Sequence, residues 1–327
     1  MTRGRPTALL LPGQGFQHAG MAVELYRRDA DFAAAADAFL AALGPEADAL
    51  RDDWLAGADG ETADRGTRAQ PLLFMTGYAV GRALMSRGVR PDVFIGHSVG
   101  ELAAATLAGV LDLAAAGRIV AGRCAALDEA PPGGMLAVAG APERVLDRLR
   151  GDPAAEHVVL GAHNGRAQTV LAGPEPHLGD AERALREAGL VARRVRALEP
   201  WHSPAMDRAA RRFTEVIAAE TLRPPEIPIV STRTGRTVTA SEAVRPGFWG
   251  GQIAAPVLFW PALGAVLDER DHLLADGSPA GALATLARGH PAVRRGDSAV
   301  VSLLAPPGRD AWSAWRSGIG RLTAAAV

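Results

Sequence analysis

The residues with the clearest capacity for chemistry are Gly96-His97-Ser98-Val99-Gly100, which fit the pattern G-x-S-x-G. A serine in that pattern becomes a nucleophile when it occupies a sharp turn between a strand and a helix. The glycines allow the turn, the hydroxyl projects, and the unpaired N–H groups of the helix start face a developing oxyanion. A hydroxyl also needs a base. The chain has eight histidines. His97 adjoins the serine, but neighbouring side chains at such a turn point apart, so it reads as a packed group. His202, in Trp201-His202-Ser203-Pro204, is the better candidate, although a lone histidine is more often a satisfied core or surface residue and the choice needs independent support.

The elements around Ser98 suit the role. PDVFIGHS reads as a strand and GELAAATLAGVL as a helix, with almost no linker between them. Upstream, TALLLP predicts a first strand, Gly13-Gln14-Gly15 a turn, Met21 to Arg28 a helix, and PLLFMTGYAVGRALMSRG another. This is an α/β pattern. From Gly133 the elements shorten: strand GMLAVAG, helix PERVLDRLRG, strands HVVLGAHNG and QTVLAG, helix EPHLGDAERALREAG and strand ARRVRAL. The order β-α-β-β-α-β predicts a ferredoxin-like subdomain over 133–198, inserted in a body formed by 1–132 and 199–327. His202 then falls where the chain re-enters the body. PEIPIVST, a helix from about Pro256 to Glu269 and HLLADGS resume the body, and the segment after Arg288 carries no readable pattern.

Composition narrows the classes of function. A formal charge of −1 gives no general attraction to nucleic acid or to an anionic membrane. All 35 basic residues are arginine, which excludes Schiff-base and lysine-nucleophile chemistry. The single cysteine, Cys124, excludes an intrachain disulfide and a cysteine-based metal cluster, and fits a reducing, cytoplasmic compartment. The apolar run Ala8 to Leu11 is too short for a signal-peptide core or a membrane span.

Taken together, the GQG at 13–15, Gln70-Pro71, GHSVGELAAATLAGVL from Gly96, Arg123, Asn164, His202-Ser203-Pro204, and Gln252 through Pro256-Val257 resemble the malonyl-CoA:acyl carrier protein transacylases and the acyltransferase domains of polyketide synthases. The motifs follow in order along almost the whole chain. The resemblance implies an α/β-hydrolase-like body with a ferredoxin-like subdomain. It implies Ser98 as nucleophile and His202 as general base in a dyad without a carboxylate. Gln14 and the Val99 N–H are implied at the oxyanion, and the Gln252 carbonyl as the group that orients the histidine. Asn164 is implied in the active site, and Arg123 as partner of the free carboxylate of a malonyl group, which a guanidinium holds through two parallel hydrogen bonds.

The expected reaction is two-step acyl exchange from coenzyme A to the phosphopantetheine thiol of an acyl carrier protein, with no metal or redox cofactor. A free-standing cytoplasmic monomer is expected, with arginine patches such as Arg148-Leu149-Arg150 or Arg294-Arg295 available to an acidic carrier. The segment Glu199-Pro200-Trp201-His202 departs from the family pattern. Trp201 is a large wall that favours plain malonyl, yet Glu199-Pro200 equally suits a pocket for an unusual acyl group. Three rivals stand beside the malonyl reading: transfer of an aminoacyl or peptidyl unit between carrier proteins, a hydrolase that clears stalled acyl chains, and a non-catalytic docking module.

Overall fold

In the computed structural model, residues 5–57, 62 and 64–326 are described. The first strand, β1 (Thr7–Leu11), is buried throughout, and it leads through the glycine turn to α1 (Val23–Arg28), α2 (Ala30–Leu43) and α3 (Ala47–Ala56). A long helix, α4 (Gly66–Ser86), crosses the body and is followed by β2 (Val93–Gly96), α5 (Gly100–Leu107) and α6 (Leu113–Ala125). Strand β2 runs parallel to β1. Both are apolar runs without alternation, as expected of strands covered on both faces.

The next stretch forms a separate antiparallel sheet from β3 (Gly133–Ala139), β4 (Val159–Gly165), β5 (Gln168–Pro174) and β6 (Ala192–Arg194), in the order β4-β5-β3-β6. Helices α7 (Pro142–Leu149) and α8 (His177–Glu187) complete the β-α-β-β-α-β unit with its ferredoxin-like strand order. Alternation along β3 explains its place. Leu136 and Val138 join a small core with Val145, Leu149 and Leu178, whereas Met135 joins the main core of the body. The sheet is therefore apolar on both faces, one against its own helices and one against the body. A parallel bridge between Ala162 and Val257 fastens its β4 edge. Strand β6 is shorter than ARRVRAL predicts. It ends at Arg194, and Val195 makes a last bond to the Met135 carbonyl before the chain turns away.

The body resumes with α9 (Asp207–Ala218), β7 (Ile229–Ser231), β8 (Arg236–Thr237), α10 (Ala240–Ala243), α11 (Pro246–Gly250) and α12 (Phe259–Leu267). It ends with β9 (Leu273–Asp276), α13 (Ala282–Ala287), α14 (Pro291–Arg294), β10 (Ala299–Ser302) and α15 (Ala311–Ala326). The main sheet has the order β10-β9-β1-β2-β7-β8, parallel except for β8. The helix predicted from Pro256 starts at Phe259, because Val257 is engaged in the bridge to β4. Among the described residues no helix is long and apolar enough to cross a membrane.

Candidate active site

Strand β2 delivers the chain to Ser98, and α5 starts two residues later. The turn is as tight as the glycines allow. A Cβ on Gly96 would lie 2.3 Å from the Glu101 nitrogen, and one on Gly100 would lie 2.5 Å from the Leu11 carbonyl oxygen. Ser98 itself has φ 52°, a left-handed conformation that non-glycine residues adopt at a cost of about 1–3 kcal/mol and that recurs at functional sites. Among the described residues no hydrogen bond is formed by the Val99 N–H at the head of α5, and none by the backbone N–H of Gln14. These are free donors where the resemblance expects an oxyanion to be held.

His202 reaches Ser98 from the segment that returns from the small sheet. Its backbone also takes a left-handed φ, 64°, and its N–H is anchored on the Ile253 carbonyl at 2.8 Å. The imidazole Nε2 lies 2.8 Å from Ser98 Oγ. On the other side of the ring, Nδ1 faces two carbonyl oxygens, Ala255 at 2.9 Å and Gln252 at 3.1 Å. Carbonyls only accept, so Nδ1 carries the proton and Nε2 offers its lone pair to the serine hydroxyl. This is the tautomer a general base requires. Burial, reinforced by the Arg123 charge and by His97, pushes the His202 imidazole down to about 3, so it is neutral at physiological pH.

Arg123, in the last turn of α6, is completely buried. Its partners are neutral. Nε donates to Gln70 Oε1, Nη1 to Gln252 Oε1 at 3.2 Å, and Nη2 approaches Ser98 Oγ at 3.4 Å. The guanidinium lies over the rings of Trp201, 5.1 Å away, and Phe213, 5.5 Å away. No salt bridge to Arg123 occurs among the described residues. Burial pulls its pKa down to about 10, against the attraction of Cys124 and Glu101, which still leaves a cation at neutral pH. The nearby Glu101 carboxylate is occupied elsewhere: it accepts from Ser231 Oγ, Thr232 Oγ1 and two backbone N–H groups after β7.

The remaining expected residues fall in the same cleft or behind it. Gln252 contributes its carbonyl to His202, and its side chain also donates to the Ser98 carbonyl at 2.7 Å, a contact the sequence did not suggest. The Gln14 side chain is turned onto Gln70, so only its backbone N–H is available to an oxyanion. Asn164 on β4 makes no hydrogen bond to Ser98. Its Oδ1 meets His97 Nε2 at 2.8 Å, and the His97 ring, edge-on to Phe16, is packed as expected. Burial lowers His97 to about 4, and its Nδ1 is without a partner among the described residues. Trp201 lines the cleft together with Met135 and Ala162, its Nε1 donating to Glu199 Oε2 at 3.0 Å. A larger cavity of about 540 Å³ lies on the far face of α4 and α6; its one thiol, Cys124, is pushed up to about 12 by burial and is no nucleophile.

A strand-turn-helix serine paired with a neutral histidine, roofed by a small antiparallel sheet on a parallel α/β body, defines the class as an acyl-transfer scaffold. The acyl transferase domain family model matches residues 9–310, and the chain belongs to that family. It is 38% identical to a subunit of the phenolphthiocerol/phthiocerol polyketide synthase of Mycobacterium tuberculosis over 86% of this chain, which is 19% of that subunit's length. Among solved structures, the acyltransferase domain of the second module of the salinomycin polyketide synthase matches with TM-score 0.85 and 34% identity, over 97% of this chain and 72% of that one. The acyl transferase domain of SpnD in complex with 2-(pent-4-yn-1-yl)malonyl matches with TM-score 0.90 and 30% identity, over 100% and 78%.

Proposed function

We propose that this acyltransferase moves a malonyl-type acyl group from coenzyme A to the phosphopantetheine thiol of an acyl carrier protein through an ester on Ser98. The observation that carries the reading is a buried cation that forms no ion pair among the described residues, 3.4 Å from the hydroxyl that His202 is placed to deprotonate. Burying such a charge is expensive unless a partner arrives, and the free carboxylate of a malonyl thioester is a partner of the right sign and geometry. His202 Nε2 takes the Ser98 proton as Oγ adds to the thioester carbonyl. The N–H groups of Val99 and Gln14 hold the oxyanion, the coenzyme A thiolate leaves with the proton from His202, and the carrier thiol reverses the sequence. No step requires a metal or redox cofactor. The SpnD domain, a relative at 30% identity in complex with 2-(pent-4-yn-1-yl)malonyl, supports a carboxylated acyl group of the malonyl class. Trp201, packed over Arg123 at the cleft wall, favours malonyl without a 2-substituent. The carrier protein and coenzyme A are the expected partners, in a cytoplasmic setting.

Intact-mass measurement after mixing with malonyl-CoA tests this. A malonyl adduct on wild type, absent in Ser98→Ala and passed to a carrier protein on its addition, is the expected result. Labelling only by donors without a carboxylate overturns the malonyl assignment, and release as free acid at the same rate with or without carrier overturns the transfer.

A further inference from the structure

Arg123 meets two glutamine side chains through their oxygens. A guanidinium only donates, so the atom that Gln70 turns to Arg123 Nε is its Oε1, and its Nε2 then points at Gln14 Oε1, 3.0 Å away. The next link is loose: Gln14 Nε2 reaches the Asp64 carbonyl at 3.5 Å. Gln252 is tied more tightly, since its Nε2 donates to the Ser98 carbonyl at 2.7 Å while its Oε1 takes Arg123 Nη1. The two positions therefore differ in what they tolerate. A carboxylate at 252 would set an oxygen against the Ser98 carbonyl and disturb the corner itself. A carboxylate at 70 would face Arg123 on one side and, on the other, an amide that can rotate to offer its NH2 for the loss of one long hydrogen bond.

We propose that Gln70 is the positioning residue that keeps this site selective for a carboxylated acyl group: its amide oxygen fixes the guanidinium plane by accepting from Nε while leaving the positive charge uncompensated. The inference rests on the malonyl reading. Gln70 lies on α4, 1% exposed, one residue before a proline and among apolar side chains, where an amide is retained for its hydrogen bonds rather than for packing. With a glutamate there, Arg123 would already be paired when the donor arrives. The malonyl carboxylate would then meet a neutral pair and lose the interaction that distinguishes it from acetyl.

The test is competitive labelling of Ser98 with malonyl-CoA and acetyl-CoA in wild type, Gln70→Glu and Gln70→Met, read by intact mass. In Gln70→Glu the ratio of malonyl to acetyl labelling is expected to fall about a hundredfold or more, the loss typical of removing one side of a buried charge pair. In Gln70→Met, which keeps the charge free but removes its acceptor, malonyl labelling slows about tenfold while malonyl stays preferred. An equal fall for both donors in Gln70→Glu means a structural role only and overturns the inference, as does an unchanged ratio. If Gln70→Glu does not fold, wild-type labelling rates in Gln70→Met overturn it equally. A wild type that takes no malonyl overturns the malonyl reading, and this inference with it, whatever the variants do.

Discussion

His202 and His97 are buried neutral, and this makes stability pH-dependent in a way that a single substitution can isolate. Burial holds His202 near 3 and His97 near 4, whereas in the unfolded chain both titrate near 6.5. Between those values the unfolded state binds more protons than the folded one, so stability is complete above about pH 6.5 and falls as the pH drops toward the folded values. Each histidine costs about 1.4 kcal/mol per pH unit in that window, hence close to 3 kcal/mol at pH 4.5. The raw profile also contains the opposite contribution of Asp276, which burial raises to about 6 and which stabilises the fold as the pH drops below that value. The informative quantity is therefore a difference. In His202→Asn the amide can still donate to the Ala255 and Gln252 carbonyls, and Asn tolerates the left-handed backbone better than most residues. Urea unfolding of wild type and His202→Asn at pH 7.5 and 4.5 is expected to show the variant gaining about 3 kcal/mol on wild type over that interval. A gap between the two proteins that does not move with pH would refute the neutral-histidine account. It would also remove the basis for expecting acylation, measured as kcat/KM, to keep its acid limb below pH 5.

Three further outcomes follow from the site and its corner. Ser98→Ala should lose labelling by about 10⁴-fold or more while its far-ultraviolet circular dichroism and urea midpoint stay near wild type. Trp201→Ala removes both the cleft wall and the ring under Arg123; methylmalonyl labelling should rise about tenfold relative to malonyl in the same competition assay, while the absolute rate for both falls. Gly100→Ala places a methyl 2.5 Å from the Leu11 carbonyl oxygen, backbone against backbone, and should destabilise the fold by about 3 kcal/mol in urea titration.

The serine corner was legible because its sequence signals are local: two glycines, an apolar strand before and a helix after, although what denies Gly100 a Cβ is the distant Leu11 and Pro12 backbone. The small sheet was legible for a similar reason, since its six elements are short, consecutive and punctuated. Helices α2 and α3 drew no assignment. The first is so rich in alanine that its inward and outward faces differ little, and the Asp29 side chain that caps it on the Phe32 N–H is a lone signal. Strand β10 and the last helix were equally silent, the strand because four residues of Ala299–Ser302 show no alternation. In the site, the residues that touch substrate in the proposed reaction, and the Gln252 carbonyl behind His202, could be named from motif resemblance, but the side-chain contacts that support them could not. That Gln14 faces Gln70, or that the Gln252 amide bridges Arg123 and Ser98, depends on tertiary placement of side chains more than 50 residues apart.

Among the described residues the partners of His202 Nδ1 are carbonyls and not a carboxylate, which is consistent with the charge arrangement of the cleft. In a serine triad the acid that faces Nδ1 fixes the tautomer and stabilises the imidazolium. Here two backbone carbonyls fix the same tautomer with no formal charge. A carboxylate at that place would raise the histidine's pKa, and it would also put a negative charge close to the Arg123 guanidinium, which already perturbs His202. That charge would repel the carboxylate of an incoming malonyl group and compete with it for the cation. Glu101, a buried acid close by, is consistent with the same requirement, because its hydrogen bonds run to Ser231, Thr232 and Arg233 on the β7 side rather than to Arg123 or His202. The result is a cleft whose described lining carries no acid, with the buried Arg123 guanidinium 3.4 Å from the Ser98 hydroxyl. For the malonyl transfer proposed above, a dyad built on carbonyls and a clamp built on neutral amides are thus two parts of one electrostatic solution to a substrate that brings its own negative charge.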